Sequence, residues 1–173
     1  MKRFFAAVAG SLLAVLLAGC AIGKDTEDVL PHRELIVGKD IVVDDITDFY
    51  YTKSNINYDA YYQRYRFYVD DGKRYFFHET RERKGDYGPC TEEDTTLTGM
   101  IELTDDQWSQ FYDLVSGGIV KAREESADSG DTGPWLYMYW TNDKSKYQQY
   151  SFASYGEEKA FLELCLSLAS DGA

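Results

Sequence analysis

The chain has 173 residues, of which 30 are acidic and 18 are lysine or arginine, so its formal net charge at pH 7 is −12. A polyanion of this size is a poor partner for nucleic acid or for an anionic membrane surface. The length suits one domain of ordinary size, and the aromatic content of 16% is typical of strands rather than of a disordered chain.

The first twenty residues have the pattern of a secretory signal peptide. A basic start at Lys2 and Arg3 precedes an apolar stretch, which ends in Leu17-Ala18-Gly19-Cys20. These last four residues resemble the lipobox of bacterial lipoproteins. The resemblance covers residues 1–20 and implies cleavage before Cys20, whose thiol then carries the lipid. An uncleaved membrane helix is the alternative.

Lipidation would hold the protein on the extracytoplasmic side of a cell membrane through its acyl chains. Removing residues 1–19 would take away two basic residues and no acidic one, which changes the formal net charge from −12 to −14. The predicted organisation is a signal peptide over 1–19, a lipidated cysteine with its tether over 20–45, and a single domain over 46–170. Within the tether, the apolar runs at 35–37 and 41–43 are long enough for short strands.

The sequence on either side of Asp70-Asp71-Gly72 predicts two antiparallel strands joined by a tight turn. A three-residue loop would place Phe67 opposite Tyr75, which collects the aromatic rings on one face and the arginines on the other. A two-residue loop would place Arg66 opposite Phe77 and so mix the two faces. Since a half-buried sheet selects against such a slip, the three-residue loop is the prediction.

Two amphipathic helices are predicted, and each begins with a capping box. Thr104 and Gln107 start the first helix, which Gly117-Gly118 ends, while Ser154 and Glu157 start the second, which runs to about residue 169. Their core-facing stripes are Trp108, Phe111, Tyr112 and Val115 in the first helix and Phe161, Leu164, Cys165 and Leu168 in the second.

Further strands are predicted over residues 46–52, 95–103, 119–124, 135–140 and 147–153, with Gly99 as a bulge. Strands and helices are segregated, so the predicted fold class is α+β. Its architecture is a mostly antiparallel sheet of five to seven strands with two amphipathic helices packed on one face. The order of strands and then a helix occurs twice, which is consistent with an internal duplication.

If Cys20 carries lipid, Cys90 and Cys165 remain as a pair in a compartment that permits disulfides. A disulfide between them is one interpretation. The other is a buried free thiol, because Cys165 lies on the apolar stripe of the last predicted helix. The sequence leaves both open.

The sequence contains no strong motif for catalysis or for binding a metal or cofactor. No metal-ligand spacing, phosphate loop, nucleophile elbow or dinucleotide fingerprint occurs, so no metal, cofactor or catalytic residue is predicted. The carboxylates at Asp128, Asp131 and Asp143 lack the ladder of a calcium loop and are interpreted as a solvated acidic surface. Glu92-Glu93-Asp94 is interpreted in the same way.

The candidate binding surface is aromatic. Trp135, Tyr137 and Tyr139 alternate along one strand, and Tyr61 and Tyr62 lie in the central hairpin. Tyrosine and tryptophan dominate binding hot spots, although a strand that is apolar on both faces is more often fully covered.

The mature domain resembles small bacterial lipoproteins, which implies display at the cell surface. The leading hypothesis is a lipid-anchored module that binds a protein or a surface polymer and is not an enzyme. An inhibitor or immunity-type lipoprotein that blocks an enzyme is the alternative, followed by a hydrolase that uses the acidic loops.

Overall fold

The computed structural model describes residues 34–122, 133–141 and 148–171. The predicted signal peptide and residues 17–20, which resemble a lipobox, lie outside these residues. The strands are β1 (Leu35–Ile36), β2 (Ile46–Asn55), β3 (Ala60–Asp70), β4 (Lys73–Arg83), β5 (Thr95–Glu102), β6 (Ile119–Lys121), β7 (Trp135–Trp140) and β8 (Gln148–Ser151). The helices are α1 (Val37–Asp40), α2 (Asp105–Val115) and α3 (Tyr155–Asp171), with short 3-10 helices at Val43–Asp45 and Glu92–Asp94.

The fold is α+β, with one open sheet in the order β1-β6-β8-β7-β2-β3-β4-β5, and every pairing in it is antiparallel. Both long helices pack on the same face of this sheet. Phe67 stacks on Phe111 of α2 with ring centroids 4.1 Å apart, and Phe49 meets Phe161 of α3 edge-on at 5.5 Å. These contacts place the core between the sheet and the two helices.

Alternate residues of the central strands fill this core, because successive side chains of a strand point to opposite faces. Its fully buried large side chains include Phe49, Phe67, Phe76, Met138 and Tyr150 from the strands and Trp108, Phe111 and Phe161 from the helices. Burying large rings removes much apolar area from water, which is the main favourable contribution to folding.

Both predicted helix starts are confirmed. The Gln107 amide donates to Thr104 Oγ1 at 3.2 Å, while the Thr104 amide donates to Gln107 Oε1 at 2.9 Å. The Glu157 amide donates to Ser154 Oγ at 3.2 Å. Each bond satisfies an amide that the first turn of a helix leaves without a backbone partner, so local chemistry fixes where α2 and α3 begin.

The predicted loop of the central hairpin is wrong by one residue. Asp70 pairs with Lys73, so the loop is the two-residue Asp71-Gly72, and Arg66 lies opposite Phe77. Asp71 and Gly72 have φ angles of 48° and 74°, which are the positive values of a type I′ turn. The backbone twist of this turn matches the right-handed twist of the strands, which favours the two-residue loop. The prediction instead assumed that the rings and the charges would lie on separate faces.

The domain begins earlier than predicted, inside the segment that was interpreted as tether. Leu35, Val37 and Ile41 are buried in the core, and β1 pairs with β6 through Leu35 and Val120. Their apolar side chains find partners far along the chain, which a tether would not have. This segment adds β1 and α1, and the sheet has eight strands rather than the predicted five to seven.

Gly99 is not the predicted bulge. The register of β4 and β5 shifts between Thr80 and Arg81 instead. A Cβ on Gly99 would meet the imidazole of His78, which lies buried on the helix side of the sheet. Burial lowers the pKa of His78, so the ring is neutral at pH 7 and tolerates its apolar surroundings.

Within the described ranges, no helix combines the length and the apolar character needed to cross a membrane. The internal duplication suggested by the repeated order of strands and helix stays a prediction.

Candidate functional site

The sheet face opposite the two long helices is called the open face, because no helix or strand among the described residues packs on it. Its central side chains are half-buried. They are Asp48, Tyr50 and Thr52 of β2, Tyr62, Arg64, Arg66 and Tyr68 of β3, Tyr75, Phe77, Glu79 and Arg81 of β4, and Trp135, Tyr137 and Tyr139 of β7.

Arginines alternate with aromatic rings across the open face. The guanidinium of Arg66 lies 5.0 Å from the ring centroid of Tyr50 and 4.3 Å from that of Tyr68. It also donates to both carboxylate oxygens of Asp48, with Nη2 to Oδ2 at 2.6 Å and Nε to Oδ1 at 3.0 Å. These hydrogen bonds raise the pKa of Arg66, so its charge is fixed and paired.

Arg81 repeats this arrangement on the neighbouring strand. Its Nε donates to Glu79 Oε1 at 2.7 Å, and its guanidinium lies 5.0 Å from the ring centroid of Tyr62. The ion pair and the ring together hold the long side chain flat along the sheet. On this part of the open face, aromatic rings therefore alternate with arginines that are held by ion pairs.

Arg64 is different from every other arginine in the described residues. It lies between the rings of Tyr50 and Tyr62, at 5.5 Å and 5.3 Å from their centroids. Its Nε is buried and has no hydrogen-bond partner. Glu79 lies directly opposite on β4 but is bound to Arg81 instead. Arg64 thus has no carboxylate partner within the described part of the chain.

A cavity of about 340 Å³ opens on this face beside Arg64. The residues lining it are Tyr50, Thr52, Arg64, Trp135, Tyr137 and Tyr139. This volume lies in the lower part of the range for small-ligand pockets. The cavity combines flat rings with a cation, so it offers stacking and charge recognition at one place.

Burial raises the pKa values of the Tyr50 and Tyr62 hydroxyls, and Asp48 adds to the effect at Tyr50. The pKa of Tyr68 is raised for the same reason of burial. These hydroxyls are therefore neutral at physiological pH and can donate hydrogen bonds.

A second cavity of about 500 Å³ lies at the end of β7 and β8, next to the start of α3. Its wall includes Trp135, Tyr155 and Glu158. Glu158 accepts a hydrogen bond from the Tyr51 hydroxyl at 3.0 Å, and burial together with this bond raises the pKa of Tyr51. The Glu158 carboxylate is therefore already hydrogen-bonded. The second cavity has no unpaired charged side chain comparable to Arg64 in the first.

Four of the five predicted binding residues lie on the open face. Trp135, Tyr137 and Tyr139 line the cavity, and Tyr62 packs on Arg64 at its border. Tyr61 lies on the helix side of the sheet, because neighbouring residues of a strand point to opposite faces.

Tyr50, Thr52 and Arg64 line the cavity and were missed by sequence reasoning. All three belong to strands that were predicted near their observed positions. No local signal could have found them, because their position beside β7 follows from the pairing of β2 with β3 and with β7, which joins distant segments.

Cys90 and Cys165 are both free thiols, so a disulfide between them does not form. Cys165 is fully buried beneath the sheet, and burial raises the pKa of its thiol well above the usual value. Cys90 is half-buried beyond the end of β4, where its Sγ lies 3.9 Å from the carbonyl oxygen of Arg81. Their positions suit an inert core thiol and a separate loop thiol.

The acidic segment at Glu92–Asp94 forms a short 3-10 helix. Asp94 accepts hydrogen bonds from the Thr91 amide at 2.6 Å and from Arg83 Nη2 at 2.8 Å, which lower its pKa to about 2. The described residues contain no group of three or more His, Cys, Asp or Glu that could hold a metal ion. The aspartates at 128, 131 and 143 lie outside the described residues.

No family model, curated protein or solved structure matches this chain. The function is therefore argued from the geometry of the open face.

Proposed function

We propose that this chain is a lipid-anchored extracytoplasmic module that binds a protein partner on the open face of its sheet. The observation that carries the proposal is the distribution of side chains between the two faces. One face is covered by α2 and α3, whereas the other presents rings and guanidinium groups around a cavity.

The composition of the open face supports a binding role. Tryptophan, tyrosine and arginine are the residues most enriched at interface hot spots. Here the rings are held by rigid strands and by stacked guanidinium groups, so little side-chain entropy remains to be lost on association. A surface that only needed solubility would carry mobile lysines and glutamates instead.

The charge of the chain favours a protein over a polyanionic surface polymer. The net charge of −12 would repel a ligand that carries many negative groups. Most of the cations on the open face are already paired, as with Arg66 and Arg81. A protein surface that offers rings, neutral polar groups and few acidic residues matches this face better.

The lipobox resemblance at Leu17-Ala18-Gly19-Cys20 supports the anchor. A diacylated cysteine would hold the module stably at the bilayer, since two acyl chains bind far more tightly than one. In that position the module meets partners of the extracytoplasmic space.

Alanine at Trp135 or Tyr137 is expected to weaken binding of the partner by at least about 30-fold, because truncating a hot-spot ring costs about 2 kcal/mol or more. The full-length chain in detergent would be used to capture partners from surface extracts. The partner identified by mass spectrometry would then be purified for titration. Tyr87→Ala is the matched control, since this ring is 67% exposed and lies outside the open face.

The control is expected to bind like the wild type, and the melting temperatures of all variants would be recorded. Equal binding by Trp135→Ala, Tyr137→Ala and the wild type would overturn the proposal. Capture of a polysaccharide instead of a protein would overturn the choice of partner.

A further inference from the structure

Arg64 is the one arginine among the described residues that has no carboxylate partner in the fold. Each of the other arginines in the described residues, at 66, 74, 81 and 83, has a carboxylate partner within 2.8 Å. Arg64 has two tyrosine rings and a buried Nε without an acceptor. The rings favour the cation, but they do not supply the carboxylate that each other arginine binds, so this guanidinium can still accept an anionic partner from a ligand.

The surroundings of Arg64 define what such a ligand must offer. The guanidinium fork matches the two oxygens of a carboxylate, and the pairing is stronger where water is excluded. Trp135, Tyr137 and Tyr139 also line the cavity and suit a flat or apolar group attached to that carboxylate. The volume of about 340 Å³ has room for one residue of this kind.

We propose that Arg64 and the rings around it form a subsite that binds one carboxylate of a protein partner, carried on a segment with a planar or apolar side chain. The inference rests on the proposed function, because it assigns the chemistry recognised within the same open face. A single uncompensated guanidinium fits a single carboxylate, such as a chain terminus or one acidic side chain. The net charge of −12 opposes an acidic polymer with a carboxylate on every unit.

Minimal probes test the subsite without knowledge of the partner. N-acetyl-tyrosine carries a ring and a carboxylate, whereas N-acetyl-tyrosinamide has the same ring and no charge. Both would be titrated into the full-length protein in detergent and followed by saturation-transfer NMR. The acid is expected to bind on the order of 10- to 100-fold more tightly than the amide, because a charge-assisted hydrogen-bonded pair is lost in the amide.

Arg64→Gln is expected to abolish this preference, while Arg64→Lys keeps the charge, loses the fork and retains a weaker preference. Arg83→Gln is the matched control, since it removes a paired arginine outside the cavity and should leave the preference unchanged. Arg64→Gln is also expected to remain folded, because Arg64 is half-buried and has no ion pair within the described residues to lose.

Equal binding of acid and amide by the wild type, or no binding of either, would overturn the subsite. The same conclusion would follow if Arg64→Gln kept the preference or unfolded the protein. Tighter binding of glucuronate than of N-acetyl-tyrosine would overturn the assignment to a protein carboxylate. A partner that still depends on Trp135 would leave the proposed function standing in each case, so the two failures are distinguishable.

Discussion

Replacing Phe76 by alanine is expected to lower the free energy of unfolding by about 3–5 kcal/mol, the usual cost of removing a buried ring. Phe76 is fully buried, with its centroid 5.0 Å from that of Phe67 and 6.0 Å from that of Tyr65. Phe77→Ala is the matched control one residue further along β4. This side chain is half-buried on the open face, so its loss should cost about 1 kcal/mol.

Chemical denaturation of the two variants measures this difference, and unchanged m-values would show that the comparison is valid. The pair also tests the register of the central hairpin. A three-residue loop would turn Phe77 inward and Phe76 outward. A larger loss for Phe77→Ala than for Phe76→Ala would therefore contradict the two-residue turn.

Gly118→Ala is expected to destabilise the fold by about 3 kcal/mol, near the upper end of the usual cost of overpacking. A Cβ at this position would overlap the phenol of Tyr150. That ring is buried against Phe49 at 5.0 Å, and its hydroxyl donates to the Val115 carbonyl oxygen at 3.0 Å. The methyl group would displace the ring, lose the hydrogen bond and disturb the junction between α2 and β6.

The neighbouring Gly117 provides the control. A Cβ there would meet the Oε1 of Glu157 at 3.2 Å, which is the end of a flexible side chain that can move away. Gly117→Ala should therefore cost less than about 1 kcal/mol. Comparable melting temperatures for the two alanine variants would show that Tyr150 does not pack as closely on residue 118 as described.

The helices could be predicted from the sequence because their signals are local. In each helix, the capping box and the apolar stripe that follows it lie within a few helical turns. The two boxes begin at Thr104 and Ser154. Such patterns act before any long-range contact forms. For the same reason, the turn at Asp71-Gly72 could be located, although not its length.

Strand register could not be predicted in the same way, because it depends on pairing between distant segments and a one-residue slip exchanges the faces. The pairing of β2 with both β3 and β7 brings Tyr50 and Arg64 to the candidate site, and no local pattern predicts that pairing. The alternation of Trp135, Tyr137 and Tyr139 lies within one strand, and these residues were placed on a common face correctly.

The start of the domain was missed for a related reason. Leu35 pairs with Val120, and Ile41 is buried in the same core. The residues that they contact lie far away in the sequence. Two short apolar runs between charged residues give no local signal that separates a tether from an edge strand. Their burial depends on the edge strand β6 and on the core beneath it, which form only when the whole sheet folds.

The most direct test of the central claim is hydroxyl-radical footprinting of the full-length protein with and without its captured partner. Oxidation of Trp135, Tyr137 and Tyr139 is expected to fall when the partner binds, because the open face becomes covered. Tyr155, which is 80% exposed on α3, should be oxidised equally in both samples. Protection of Tyr155 with unchanged oxidation of the open-face rings would contradict the account.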